Sequence, residues 1–249
     1  MNNPVRGHFP GKTGDIHYPV AVPSLPVSFP IGISMNPPPP ALDPIERAVS
    51  VLMWDMAGTL IPIDPQTGHA CALPGAQDFL PDLNREFRQV VTTGDHTADA
   101  RSTLREFELL EHLEDVFGDL GQPLGKPHGA VLARLGGDPA HSLIIGDRLS
   151  ADVAADTDRL VTILINQGQD LVGAGVVTFL IHILRKQGQG DFIAAFDALT
   201  ASAEPFTLDT PSVGGGEVTG AWRRDDGLGY RLWTYAHPLL QGVRRIILL

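Results

Sequence analysis

Cysteine is almost absent from this chain of 249 residues, which contains Cys71 alone. A single cysteine cannot form a disulfide within the chain, and it cannot supply the several thiolates of a tetrahedral zinc site. Proteins with so few cysteines are typical of reducing compartments, so we expect a cytoplasmic protein.

Basic residues are also scarce. Lysine and arginine together number 18 against 29 aspartates and glutamates, and the formal net charge is −11. Nucleic acids and anionic membranes favour basic surfaces, so we expect the chain to bind neither of them. A phosphate-bearing partner would have to be held locally, by a metal ion or by a few cationic side chains.

Long apolar runs are missing as well. The amino terminus, Met1-Asn2-Asn3-Pro4, has no charged region followed by an apolar run, so we expect no secretory signal. The most apolar later stretch, residues 171–184, contains His182 and is too short to span a bilayer. We predict a core helix there.

Proline, by contrast, is concentrated near one end of the chain. Eleven of the 21 prolines lie in the first 50 residues, which include the run Pro37 to Pro40. Because proline lacks a backbone donor and disfavours helix, residues 1–47 are predicted to form an extended arm. Within this arm, Gly11-Lys12-Thr13 matches only the end of a phosphate-binding P-loop, since Arg6 stands where the upstream glycine is required.

From about residue 48 onward, short apolar runs alternate with helical spacing, which is typical of a parallel sheet with crossover helices. The runs lie at residues 49–54, 89–92, 143–145 and 161–165, and the helical stretches at 74–87, 97–113, 127–135 and 150–156. This pattern predicts a three-layer, Rossmann-like α/β domain over residues 48–167, whose parallel sheet is covered on both faces.

The pattern weakens after residue 167. One or two helices are predicted over residues 171–201, and residues 222–235 alternate around Asp225-Asp226-Gly227 as a hairpin would. Gly214-Gly215-Gly216 indicates a flexible joint. We therefore expect residues 168–249 to form a C-terminal extension made of helices and a β-hairpin.

Polar residues that follow the predicted strands are the candidates for chemistry, because open parallel sheets bind ligands beyond the carboxyl ends of their strands. The candidate segments are Asp55-Met56-Ala57-Gly58-Thr59, Thr92-Thr93-Gly94, Gly125-Lys126-Pro127, and Gly146-Asp147 with Asp152 five residues on. Three carboxylates in one crevice would repel one another and raise their pKa values unless a cation neutralised them. Such hard oxygen ligands favour Mg²⁺.

This set of segments, in this order, resembles the haloacid dehalogenase (HAD) superfamily. Its four motifs are an aspartate nucleophile loop, a threonine or serine, a lysine, and an acidic pair. The resemblance covers roughly half of the chain and implies a HAD-like fold. It also implies a Mg²⁺-dependent phosphohydrolase that works through an aspartyl-phosphate intermediate.

The resemblance also implies a role for each matched residue. Asp55 would be the nucleophile, Thr92 would donate a hydrogen bond to a phosphoryl oxygen, and Lys126 would neutralise negative charge. The implied metal ligands are Asp55 and Asp147 through their side chains, Ala57 through its backbone carbonyl, and Asp152 directly or through water.

One position departs from the family pattern. Most phosphatases of this superfamily have a second aspartate two residues after the nucleophile, and here that residue is Ala57, whose methyl group cannot transfer a proton. The loop resembles that of phosphonatase-like members, which carry an inserted cap with a lysine. In this chain too few residues separate the motifs to form such a cap. We therefore predict a capless or minimal-cap protein. Asp95 and His96 are candidate substitute proton carriers, although both are also typical of a helix start.

Two functions therefore remain open at this point. The first is a magnesium-dependent phosphohydrolase acting on a small or bulky phosphorylated substrate. The second is a catalytically attenuated protein of the same fold that binds a phosphorylated ligand or partner. A dehalogenase is disfavoured because that branch uses no metal. A capless site needs another element to exclude water, and the arm, the C-terminal region or a second subunit of a homo-oligomer would provide it.

Overall fold

The computed structural model describes residues 49–166, 171–206, 212–213, 216–225 and 227–249. The predicted arm at residues 1–47, with Gly11-Lys12-Thr13, lies outside these residues. Gly214, Gly215 and Asp226 lie outside them as well. No helix in the described part of the chain is both long enough and apolar enough to cross a membrane.

The first half of the sheet is parallel throughout. Its strands are β1 (Val51–Trp54), β2 (Arg88–Thr92), β3 (Asp115–Phe117), β4 (Leu143–Gly146) and β5 (Val161–Leu164). They lie side by side in the order β3-β2-β1-β4-β5, and every neighbouring pair is parallel. The predicted Rossmann-like α/β class is therefore confirmed, and the short edge strand β3 is an addition that the apolar pattern did not indicate.

Helices connect these strands close to the predicted places. They are α1 (Ala76–Leu83), α2 (Thr97–Glu106), α3 (His128–Arg134), α4 (Leu149–Asp152), α5 (Ala174–Gly188) and α6 (Phe192–Ser202), with short 3-10 helices at Leu110–His112 and Pro139–His141. Helix α4 is a single turn, shorter than its predicted range of 150–156. Helices α5 and α6 confirm the prediction of one or two helices over residues 171–201.

The second half of the sheet comes from the C-terminal region. Strand β10 (Val243–Leu248) pairs in parallel with β5, and β9 (Leu228–Ala236) and β8 (Gly216–Asp225) follow it as an antiparallel hairpin. Strands β6 (Glu204–Phe206) and β7 (Ser212–Val213) both pair with β8. The predicted hairpin is confirmed, and it continues the sheet. Whether residues 48–167 fold as a separate domain stays a prediction, since a continuous sheet does not test it.

Alternate residues of β1 face the two layers that cover the sheet. Leu52 and Trp54 pack in the core that includes residues of α1, α2, α5 and α6, whereas Val51 and Met53 pack in the core that includes residues of α3. All four side chains are fully buried. A strand buried on both faces has a continuous apolar sequence, which is why the run at residues 49–54 was recognisable.

Strand β10 offers a direct test of whether the C-terminal strands stabilise the core. Ile247 is fully buried between Ile163 of β5 and Leu232 of β9, whereas Val243 is 43% exposed. We expect Ile247→Ala to lower the free energy of unfolding by about 2–5 kcal/mol, because it removes buried methyl groups and leaves a cavity.

Val243→Ala on the same strand is the control and should change that free energy by only about 0.5 kcal/mol. Urea denaturation followed by circular dichroism and by tryptophan fluorescence measures both variants. Equal losses in the two variants would contradict the packing of β10 described above.

Candidate active site and metal centre

The Asp55 loop leaves the sheet directly after β1. Trp54 pairs with Ile145 of β4, and the Asp55 backbone N–H donates to the Ile145 carbonyl at 2.8 Å. The chain then turns back sharply, with the Ile61 N–H donating to the Met56 carbonyl at 2.8 Å. The Thr59 hydroxyl donates to Asp55 Oδ2 at 3.2 Å. These bonds fix a buried carboxylate at the carboxyl edge of the sheet.

Gly58 is the position in this loop that requires glycine. Its φ is +87°, and a Cβ atom there would lie 2.2 Å from Asp147 Oδ2. Asp147 follows β4, so the close approach of the two loops depends on the missing side chain. Asn166, which follows β5, also supports the loop, because its side-chain amide donates to the Gly58 carbonyl at 2.8 Å.

The three aspartates converge as their positions after β1 and β4 predicted. Each of Asp55, Asp147 and Asp152 places a carboxylate oxygen within 4.8 Å of the other two. Asp152 is fully buried, and its Oδ2 accepts hydrogen bonds from the backbone N–H groups of Asp147 at 3.0 Å and Arg148 at 2.9 Å. Asp152 therefore holds the loop that carries Asp147.

Lys126 lies between two of these carboxylates. Its Nζ donates to Asp55 Oδ1 and, at 2.7 Å, to Asp152 Oδ1. The side chain is almost completely buried, and its backbone N–H donates to the Ala151 carbonyl at 3.0 Å. Asp152 thus accepts three hydrogen bonds, from Lys126 and from two backbone N–H groups, whereas Asp55 accepts two, from Lys126 and Thr59. This arrangement favours the supporting role for Asp152 over direct contact with a metal ion.

The charges of the cluster do not balance when all its groups are ionised. Asp55, Asp147 and Asp152 carry three negative charges, and Lys126 carries one positive charge. Burial, followed by repulsion from Asp152, raises the pKa of Asp55 to about 7, although Lys126 opposes the shift. Burial and the same repulsion also raise the pKa of Asp147, against the attraction of Arg148. The formal excess of two negative charges is what a divalent cation would neutralise.

The donor set fits a hard divalent cation. Carboxylate oxygens from two adjacent loops suit Mg²⁺ or Ca²⁺, and the partly exposed Asp147 leaves the cluster open on one side. Asp55 and Asp147 are the side chains best placed to hold such an ion. The expected ligation by the carbonyl of Ala57 stays a prediction, and that residue is exposed.

Thr92 ends β2 beside this cluster. Trp54 pairs with Val91, so Thr92 is the neighbour of Asp55 across the two strands. The Thr92 hydroxyl is fully buried and lies 3.4 Å from the carbonyl of Trp54 and 3.2 Å from Nε2 of His128. The expected contact of Thr92 with a phosphoryl group stays a prediction.

His128 is a residue of the site that the sequence did not identify. It is the first residue of α3, it is fully buried, and burial together with the charge of Lys126 lowers its pKa to about 3. The ring is therefore neutral and can fix the orientation of the Thr92 hydroxyl. Its place directly after Lys126-Pro127 was visible in the sequence, but no sequence pattern indicates that the ring faces β2. Asn166 could have been found, because it follows a predicted strand as the other site residues do.

Asp95 and His96 directly precede α2, and the side chain of His96 makes no capping hydrogen bond to that helix. His96 is the residue before α2, its side chain is largely exposed, and its Nδ1 lies 2.5 Å from Asp119 Oδ1. Asp95 accepts a hydrogen bond from the hydroxyl of Thr93 at 3.2 Å. A role for either residue in proton transfer stays a prediction.

No protein-family model matches the sequence, and no curated protein matches it. Among solved structures, the chain is similar to the HAD-hydrolase YfnB from Bacillus subtilis bound to magnesium, at 23% sequence identity and a TM-score of 0.37. The match covers 45% of this chain and 56% of YfnB. A likeness of this extent does not assign the chain to a family.

The carboxylate cluster predicts stabilisation by Mg²⁺. An ion that binds only the folded state raises the melting temperature, and Asp147→Asn should abolish that rise because it removes one of the two best-placed ligands. Asp78→Asn, which changes an exposed aspartate of α1, should keep the full response. Thermal melts with and without millimolar Mg²⁺ measure the effect, and a wild-type curve that Mg²⁺ leaves unmoved would count against the metal centre.

The raised pKa of Asp55 predicts a pH dependence in metal-free protein. The folded state takes up a proton at Asp55 near pH 7 and the unfolded state does so near 3.8, so ionised Asp55 destabilises the fold as the pH rises through this window. Asp55→Asn should therefore gain stability over the wild type between about pH 4 and pH 7, by at most about 1.4 kcal/mol per pH unit.

Asp64→Asn is the control, because it should change the pH dependence of stability in the opposite direction. The free energy of unfolding of each protein is measured by urea denaturation in the presence of a chelator. Hydrogen bonds from the backbone of Gln66 and from Thr67 lower the pKa of Asp64, so its stabilising contribution is lost only as the pH falls through that lowered pKa. A stability difference between Asp55→Asn and wild type that stays constant with pH would show that Asp55 is not held in a raised-pKa environment.

Proposed function

We propose that the protein is a magnesium-dependent phosphohydrolase in which Asp55 attacks phosphorus. The observation that carries this proposal is the buried contact of Lys126 with Asp55, set beside two further carboxylates at the carboxyl edge of the sheet. A carboxylate fixed by an ammonium group next to a candidate cation site has the parts that phosphoryl transfer requires. The order of the motifs, which resembles that of the HAD superfamily, supports the same conclusion.

Each step of the proposed reaction uses a group already described. An oxygen of Asp55 forms a bond to phosphorus while the bond from phosphorus to the leaving oxygen breaks, and the electron pair departs with the leaving group. Water then attacks the phosphorus of the aspartyl-phosphate, which releases inorganic phosphate and restores the carboxylate. Bound Mg²⁺ would supply positive charge to the phosphoryl oxygens.

Lys126 and Thr92 are proposed to stabilise the phosphoryl group during both steps. Lys126 provides a buried positive charge that needs no reorganisation, since its two carboxylate partners already hold it. Thr92 provides a hydroxyl whose direction is limited by the Trp54 carbonyl and the neutral ring of His128. Thr59 keeps the Asp55 side chain in position through its own hydrogen bond.

Ala57 limits the range of substrates. It cannot protonate a leaving oxygen, and losing a general acid costs on the order of 10²–10⁴ in rate. Alkyl phosphates, whose leaving groups are strongly basic alkoxides, are therefore poor substrates in this proposal. Aryl and acyl phosphates are better substrates, because their leaving groups are the weakly basic phenolates and carboxylates. Cleavage of phosphonoacetaldehyde is disfavoured, because neither Lys12 nor Lys186 lies in a cap segment.

The same residue favours a second candidate function. A protein that keeps Asp55, Lys126 and Asp147 but lacks the acid and base could bind a phosphorylated ligand or partner without turning it over. Ala57 is the specific observation behind this alternative.

Restoring a carboxylate at position 57 separates the two functions. Ala57 is exposed, so Ala57→Asp places the new side chain without displacing the core. We expect the wild type to hydrolyse acetyl phosphate and 4-nitrophenyl phosphate in the presence of Mg²⁺ far better than glycerol phosphate. The variant should improve glycerol phosphate hydrolysis selectively, by up to about 10²-fold.

Asp55→Asn is the control, since it should remove turnover of every substrate while the fold remains intact. The hydrolysis rates of all three proteins are measured by the release of inorganic phosphate. If wild type and Ala57→Asp are both inert toward all these esters while Mg²⁺ still raises the melting temperature, the binding function replaces the hydrolase.

A further inference from the structure

A cavity of about 420 Å³ adjoins the carboxylate cluster on the side of the C-terminal hairpin. Its walls come from the loop before Lys126, from residues 147–153, and from residues 235–240 at the end of β9 and in the loop that follows. We name it the hairpin cleft. Asp147 lines the cleft and also belongs to the cluster with Asp55. A molecule whose phosphoryl group lies at the cluster can therefore extend into the cleft.

The walls of the cleft are largely apolar. Leu124, Leu149, Val153 and Leu240 line it, and Val153 is fully buried. Tyr235 adds an aromatic ring that is also buried, in the same apolar cluster as Val153. A cavity of this volume and lining is typical of sites that bury the body of a small organic molecule.

Aromatic rings form one side of the cleft. The rings of Tyr235 and His237 have centroids 6.1 Å apart and are tilted by 42°. Neighbouring rings in this arrangement can pack against the face or the edge of a third ring. This side of the cleft therefore favours a flat aromatic group over a flexible polar chain such as a sugar.

Besides the carboxylate of Asp147, the cleft is lined by the polar side chains of Arg148, Ser150 and His237. His237 Nδ1 accepts a hydrogen bond from the backbone N–H of Leu239 at 3.1 Å, so the neutral ring carries its proton on Nε2. Arg148 lines the cleft next to the cluster, with its Nε 3.7 Å from Asp147 Oδ1, and its side chain is 61% exposed. The Nε2–H of His237 and the guanidinium of Arg148 therefore offer a donor and a positive charge to a negatively charged group, beside the carboxylate of Asp147.

We propose that the hairpin cleft binds the aromatic leaving group of an aryl phosphate, and this inference rests on the proposed hydrolase function. When the bond from phosphorus to the aryl oxygen breaks, the electron pair leaves on a phenolate, and the phenolate takes its proton from water after release. A phenolate needs little protonation to depart, so an aryl substrate matches both the cleft and Ala57. The positive charge of Arg148 stabilises the phenolate as it forms.

In this proposal the C-terminal hairpin does the work that an inserted cap does in other phosphatases. Tyr235, His237 and Leu240 come from the strand and loop that extend the sheet beyond β5. They line the cavity that Asp147 also lines, and we propose that they set the substrate class. Residues far from the motifs in sequence would thus determine specificity.

The test compares 2-naphthyl phosphate with acetyl phosphate, whose leaving group is too small to fill the cleft. His237→Ala should raise the KM for naphthyl phosphate about 3- to 10-fold, the loss expected for one ring contact, and lower its kcat/KM relative to that for acetyl phosphate. Tyr235→Ala should do the same if its melting curve shows a folded protein. Trp222→Ala on β8, which removes a half-exposed ring from the same hairpin, should leave the ratio of the two substrates unchanged.

A binding measurement separates the cleft from the chemistry. In the Asp55→Asn background without added Mg²⁺, calorimetry should show 2-naphthyl phosphate binding at least about tenfold more tightly than methyl phosphate, because the ring buries apolar surface. Adding His237→Ala should remove most of that preference. Equal affinity for the two phosphates, or a preference that His237→Ala leaves intact, would overturn the cleft proposal even if the wild type hydrolyses both. If His237→Ala removes the preference and the wild type hydrolyses neither ester, the result would support the cleft as a ligand site and contradict the hydrolase.

Discussion

Lys126 is a buried cation held between the carboxylates of Asp55 and Asp152, and the rest of the site depends on this contact. A lysine ammonium in the protein interior is costly unless it is paired. Here the pairing joins the loop after β1 to the loop before α3 and to helix α4. Three segments far apart in sequence therefore take positions that favour one another. The same contact orients Asp55 before any ligand arrives.

The arrangement stabilises the loops but leaves the cluster with excess negative charge. One ammonium cannot balance three buried or half-buried carboxylates, and the raised pKa values of Asp55 and Asp147 reflect that imbalance. Functional sites commonly carry such unfavourable electrostatics, which a ligand or ion relieves on binding. A divalent cation bound at the cluster would relieve this repulsion, which lowers the stability of the folded state in the absence of the ion. The neutral, buried His128 adds no positive charge to offset this.

The C-terminal strands alter both the fold and the site. By adding β10 in parallel to β5 and then the antiparallel hairpin, they cover an edge that a sheet of five strands would leave open. The end of β9 and the loop after it line the cavity next to Asp147. A sheet extension of this kind links the stability of the core to the shape of this cavity, because Tyr235 belongs to an apolar cluster and to the cavity wall at once.

The sequence by itself determined the class of the fold, the central strands, and the positions of Asp55, Thr92, Lys126 and Asp147 after strands or before a helix. Periodicity and the rule that parallel strands end at one edge are local properties, and the chain displays them directly. Only the tertiary structure decided that β10 lies beside β5, that His128 faces Thr92, and that Tyr235, His237 and Leu240 line the same cavity as Asp147. Those contacts join segments that are distant in sequence, and their partners are chosen by packing across the whole sheet. No local pattern in a single chain records that choice.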